Sequence, residues 1–165
     1  MKATGNQLQQ ALRSQQERKV FAESRFIASL RVFPGEEDGS PEERMAELQD
    51  AEHKISVLQA AQTVFNCRVR VEVLGQGMSL LDAVKRVGAA GRVETLWRDA
   101  AKEPLSYERT RVRDHVIQVR TVTRDRCAEL AREASRRARA FRAAIQAGNA
   151  TSIELEMLKD IDLDE

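Results

Sequence analysis

The sequence has 165 residues, 32% of them charged and only 4% aromatic, with a net charge of +1. That is one domain's worth of chain, and its near-neutral balance does not suit a protein dedicated to nucleic acid. The two cysteines, Cys67 and Cys127, stand outside any paired spacing, which excludes a disulfide framework and a zinc knuckle.

The start of the chain, Met1 to Leu12, is polar and shows no signal peptide. No apolar run approaches the roughly 20 residues that a membrane-spanning helix needs. A cytoplasmic protein without a membrane partner is expected. Ala, Glu, Arg, Leu and Gln dominate the composition. All are good helix formers, and their high charge suits long helices with wide polar faces.

A first helix is predicted from about Gln7 to Val32, with Leu8, Leu12, Phe26, Leu30 and Phe33 inward. Its middle, Gln15 to Lys19, is polar. Phe33-Pro34-Gly35 ends it, because proline disfavours helix at the residue before it. An acidic loop, Glu36 to Gly39, follows. Ser40, Pro41 and Glu43 then form an S-P-x-E start, with a capping box and proline at the first helical position. Met45, Leu48, Ala51, Ile55, Leu58 and Phe65 recur at helical intervals and give the second helix one apolar stripe. The first two helices are expected to form an antiparallel hairpin.

From Phe65 the period changes to two. Phe65, Cys67, Val69, Val71 and Val73 alternate with Asn66, Arg68, Arg70 and Glu72, which predicts a strand. Gly75-Gln76-Gly77 is a turn. Ser79, with Asp82 three residues on, caps a third helix from about Leu80 to Lys102. The two glycines of Gly88-Ala89-Ala90-Gly91 cost that helix roughly 1 kcal/mol each relative to alanine. Close approach of another helix, or a kink, would account for them.

Val112 to Thr121 is dense in β-branched residues and reads as a second strand. Since a lone strand is not stable, it is expected to pair with Cys67 to Val73. Thr123 caps a last helix to about Ala147, striped by Cys127, Leu130, Ala134, Ala138, Phe141 and Ile145, and Gly148-Asn149 ends it. The segment 150–165 reads as an acidic tail behind a single helical domain, 1–149.

Charge is segregated along the chain. Eight acids stand against one base, Arg44, from Glu36 to Glu52; eleven arginines stand against five acids from Leu105 to Gly148; six acids stand against Lys159 from Ala150 to Glu165. Such blocks are expected to meet within or between chains.

Ile117, Thr121-Val122 and Ile145-Gln146-Ala147-Gly148-Asn149 resemble the end of the septicolysin-like family of small bacterial helical proteins. The acidic loop before Pro41-Glu42-Glu43 and the connection from Asn66 to Leu80 resemble the same layout. The chain departs from that pattern at Ala150, where the family often has Trp, and in having a single asparagine at Asn66 where the family often has a pair. The resemblance implies a helical, oligomeric protein of unassigned biochemical role. Nothing in the sequence looks secreted or membrane-inserting, so the lytic activity in the family's name is not carried over.

Candidate sites are sparse. Arg68, Arg70, Arg109, Arg111, Arg113 and Arg120 would cluster around the predicted strand pair. Arginine forks there would suit a phosphate or an acidic peptide, against the alternative of a solvated face balanced by the acidic segments. Gly75-Gln76-Gly77 lacks the Lys-Ser/Thr of a phosphate loop and the third glycine of a dinucleotide fingerprint. His53 and His115 have no partner at metal-ligand spacing, and the cysteines read as small core residues. No catalytic motif, cofactor site or metal site emerges.

The expected fold is mainly α: four long helices in an antiparallel hairpin or bundle arrangement, with a small two-stranded β element. Met45, Leu48, Ile55 and Leu58 on the second helix, and Leu130, Phe141 and Ile145 on the last, are the candidate oligomer interface. The function expected is that of a non-enzymatic protein that self-assembles through its helices. The alternative is a protein that binds nucleic acid or an acidic partner through its arginines.

Overall fold

A computed structural model describes residues 1–31, 39–102, 121–159, 161 and 163. The chain is mainly α, with helices α1 (Gly5–Ser29), α2 (Pro41–Arg68), α3 (Leu80–Lys102) and α4 (Arg124–Ala150). Four short strands accompany them: β1 (Lys2–Thr4), β2 (Arg70–Val73), β3 (Gln76–Ser79) and β4 (Ser152–Glu154). The chain divides into two compact units, one of Met1–Arg70 with Ala147–Glu165, the other of Val71–Gln146.

The helix starts follow local chemistry. Glu43 N–H donates to Ser40 Oγ at 3.1 Å while Ser40 N–H donates to Glu43 Oε2 at 2.9 Å, the reciprocal box that the sequence predicts. Ser79 Oγ accepts from Asp82 N–H at 3.0 Å, and Thr123 Oγ1 accepts from Arg126 N–H at 3.2 Å. A further box, unforeseen in the sequence, joins Thr4 and Gln7 at the start of α1.

In the first unit α1 and α2 form the expected antiparallel hairpin. Lys19 meets Glu52 at 2.6 Å and Arg25 meets Glu47 at 3.4 Å, so position rises on one helix as it falls on the other. Leu58, Ala61 and Phe65 of α2 are fully buried, as is Leu8 of α1. The inward face of α1 differs from expectation. Leu8, Ala11, Gln15 and Ala22 are buried, whereas Leu12 and Phe26 are half-buried and Leu30 is exposed. Beyond Leu8, alanines and Gln15 rather than the larger apolar residues are buried along α1.

The segment 150–165 is part of this unit rather than a tail beside it. β4 pairs antiparallel with β1, Lys2 opposite Glu154 and Ala3 opposite Ile153, and Leu155 N–H donates to Met1 O at 2.8 Å. A 3-10 turn, Glu156–Leu158, follows and packs on α2. Leu155, Leu158, Ile161 and Leu163 are buried, so the spaced apolar residues of this acidic segment complete the core of the α1–α2 hairpin.

The second unit corrects the strand prediction. Helix α2 continues through Arg68, with Val69 N–H donating to Phe65 O at 3.0 Å, so the alternation that begins at Phe65 starts inside a helix and leaves Cys67 exposed. β2 covers only Arg70–Val73 and pairs with β3. The connection is a two-residue turn in which Leu74 (φ 53°) and Gly75 (φ 79°) both have positive φ, the geometry whose twist matches a hairpin. Pairing across two residues costs far less chain ordering than closing a loop of some forty. Residues 112–120 of the predicted partner lie outside the described residues. Val73, Met78, Ala83 and Phe141 form the core of this unit, with Val71, Val87 and Ile145 packed against it.

Candidate interaction surfaces

The arginines singled out in the sequence do not come together among the described residues. Arg68 is exposed and its Nη1 donates to the Glu154 carbonyl at 3.4 Å, which ties the end of α2 to β4. Arg70 is exposed at the start of β2. Arg109, Arg111, Arg113 and Arg120 lie outside the described residues. Among the described residues β2 pairs with β3.

The predicted interface stripes are partly covered within the chain. Ile55, Leu58 and Phe141 are buried in their own units, and Met45, Leu48, Leu130 and Ile145 are half-buried. A periodic apolar stripe marks a face that needs covering, and here each stripe finds part of its cover inside one chain.

The large apolar side chains left in solvent lie elsewhere. On α1, Val20 is 67% exposed, Ile27 60% and Leu30 56%. Spacings of seven and three put them on one side of the helix: at about 100° per residue Val20 and Ile27 stand roughly 100–120° from the fully buried Leu8, and Leu30, the C-cap residue, roughly 40° from it. Phe21 is also exposed, with the Arg25 guanidinium 5.7 Å from its ring centre, a contact that shields part of the ring. The sequence reading placed Leu30 in the core and passed over Val20 and Ile27. Their spacing was the available signal, and the larger stripe on α2 drew attention from it.

A second surface lies within the second unit. Ala89, Val93 and Trp97 of α3 face Leu130, Ala134 and Phe141 of α4 across a groove of about 830 Å³. Arg86, Arg136 and Arg137 stand on its rim beside one acid among the described residues, Glu133. All three arginines are exposed, and none forms an ion pair among the described residues. The other charged device of this unit is the buried Glu94 carboxylate. It pairs with Arg98 one turn on, and Arg142 Nη2 of α4 lies 4.0 Å from its second oxygen. A buried carboxylate is costly without such partners, so Glu94 reads as a link between α3 and α4.

The sequence reading offered close helix approach or a kink as the reason for Gly88 and Gly91. The structure gives another picture: a Cβ at Gly91 would meet nothing within 4 Å, and one at Gly88 would meet only the Arg92 guanidinium, at 3.5 Å. Among the described residues no group of three His, Cys, Asp or Glu side chains is placed to hold a metal ion. No helix of these residues is long and apolar enough to cross a membrane.

Comparison with known proteins shows a fold but not a family. No protein-family model matches the chain, and no curated protein matches it. Its structure is similar to the crystal structure of a functionally unknown conserved protein from Corynebacterium diphtheriae. That likeness has a TM-score of 0.67 and 19% sequence identity, and covers 93% of this chain and all of the other. At that identity the likeness concerns the fold alone.

Proposed function

We propose that this chain is a cytoplasmic, non-enzymatic interaction protein that self-assembles through the outward face of α1. The observation that carries this reading is the exposure of Val20, Ile27 and Leu30 together on one side of a helix whose other side is already packed. Scattered exposed apolar residues need no explanation, but a stripe at helical spacing is a face that association would cover. A second copy offers the same stripe, and a two-fold arrangement brings a surface against itself without leaving open ends. The oligomeric habit implied by the resemblance to septicolysin-like proteins supports the same reading, and membership of that family is proposed with it.

Sedimentation velocity on the chain and on a V20E/I27E variant tests the proposal. Both positions are exposed, so the variant keeps its helical spectrum. The wild type is expected to sediment as an oligomer at micromolar concentration and the variant as a monomer. A variant that sediments like an oligomeric wild type places the contact elsewhere.

A further inference from the structure

We infer that the groove between α3 and α4 is a docking site for an acidic amphipathic helix from a partner protein. This surface lies on other elements than the α1 stripe, so the inference stands independently of self-assembly through that stripe.

The shape of the groove suits a helix. Its α3 wall runs from Arg86 to Trp97, eleven residue steps or about 17 Å of helix axis, which is three turns. A helix laid in such a trough anchors side chains at positions i, i+3 or i+4, and i+7. The floor provides for them. Ala89, Ala90 and Ala134 leave room, while Val93, Trp97 and Phe141 supply apolar and aromatic walls. Val93 is exposed and Trp97 half-buried, so apolar area remains to be covered.

The rim selects the sign of the partner. Arg86, Arg136 and Arg137 outnumber Glu133 by three to one, and no carboxylate among the described residues engages them. Arginine forks of this kind take carboxylates in paired hydrogen bonds, and complementary charge sets on-rate and specificity. The occupant that matches both floor and rim carries leucine-like anchors on one face and Asp or Glu on its flanks. Single-stranded nucleic acid fits less well. It needs a row of aromatic platforms for its bases, and among the described residues Trp97 and Phe141 are the aromatic residues that line this groove.

The probe for the test is a fluorescein-labelled amphipathic peptide of about 16 residues, long enough for four turns, with leucines at i, i+3, i+4 and i+7 and glutamates on its flanks. The same peptide with lysines for the glutamates, and a single-stranded DNA oligonucleotide, serve as comparisons. Titration by fluorescence anisotropy is run on the full chain and on the V93E and R136E/R137E variants. All three altered positions are exposed, and circular dichroism verifies that each variant keeps its fold.

The acidic peptide is expected to bind, more weakly as salt rises, and each variant to lose about tenfold or more in affinity. R136E/R137E is expected to gain the lysine peptide. Any of three results overturns the inference. One is no binding of the acidic peptide up to ~100 µM, a concentration that would detect even modest affinity. Another is binding that both variants leave unchanged. The third is DNA bound in preference to the peptide and lost in the same variants. Because the probe is added to the chain whatever its assembly state, failure here leaves the α1 reading untouched, and a monomeric chain that binds the peptide leaves this one standing.

Discussion

At the scale of single residues, the tightest constraint is Gly5. A Cβ there would sit 2.5 Å from Asn149 Oδ1, 2.8 Å from Phe65 Cε1 and 3.1 Å from the Asn149 Cα. The first turn of α1 thus meets the ends of α2 and α4 at a spacing only glycine permits. Alanine is the better helix former by about 1 kcal/mol, so propensity alone favours Gly5→Ala. Overpacking works against it and costs about 1–3 kcal/mol. The expected outcome is a net loss of stability, read as a lowered midpoint in urea; an unchanged or raised midpoint would show that this junction yields easily. Lys19 gives a pH signature of known sign. Its hydrogen bond to Glu52, and then the charge of that carboxylate, raise its pKa above the usual 10.5. A group whose pKa is raised by folding contributes its stabilisation fully below its unfolded value and loses it as pH rises through the folded one. The pair is exposed, so the effect is small. The melting-temperature gap between wild type and Lys19→Gln should be constant from neutral pH up to 10.5 and close above it. A gap that widens instead would contradict the assigned pairing.

At the scale of elements, α3 carries a test of its own. Its glycines, Gly88 and Gly91, face open space rather than a neighbouring helix. The physical account therefore predicts that Gly88→Ala and Gly91→Ala each stabilise the chain, by up to about 1 kcal/mol. Chemical denaturation of the two variants reads this directly, and destabilisation would mean that the helix needs those positions bare. Elements were also the scale at which the sequence was most and least informative. Ser40, Ser79 and Thr123 announced three helix starts, because a capping hydroxyl is a local signal that acts within four residues. The bounds of α3 matched Leu80 to Lys102 for that reason, and because Pro104 follows closely. The β2 segment failed in the opposite way. Alternation from Phe65 to Val73 is the same in sequence whether the first half is helical or extended, and only the α2 core decides that Phe65 belongs to the helix. The turn, read at Gly75-Gln76-Gly77, falls at Leu74-Gly75 instead, a shift hidden because leucine rarely takes a positive φ. β1 and β4 were not legible either. Strands of three residues that pair across the whole chain leave no periodicity to read, and the burial of Leu155, Leu158, Ile161 and Leu163 is a tertiary fact.

At the scale of the whole molecule, the sequence carried the fold class but not which faces stay open. Stripes on α2 and α4 were legible as apolar faces, yet periodicity cannot say whether a face is covered from within or from outside. The structure covers Ile55, Leu58 and Phe141 from within and leaves Val20, Ile27 and Leu30 uncovered. Four of the six arginines first singled out lie outside the described residues, and the cationic groove of α3 and α4 could be seen only once the two helices were placed. What remains is a protein described best by the faces it leaves open. The measurement that bears most directly on this account is multi-angle light scattering of the unmodified chain at micromolar concentration, in low and in high salt. Apolar contact through α1 predicts a mass that is a whole multiple of 18.6 kDa in both, because burial of apolar surface is not screened by ions. A mass of 18.6 kDa in both conditions would contradict it, and so would an oligomer that falls to monomer in high salt, since charge pairs rather than the α1 face would then hold it together.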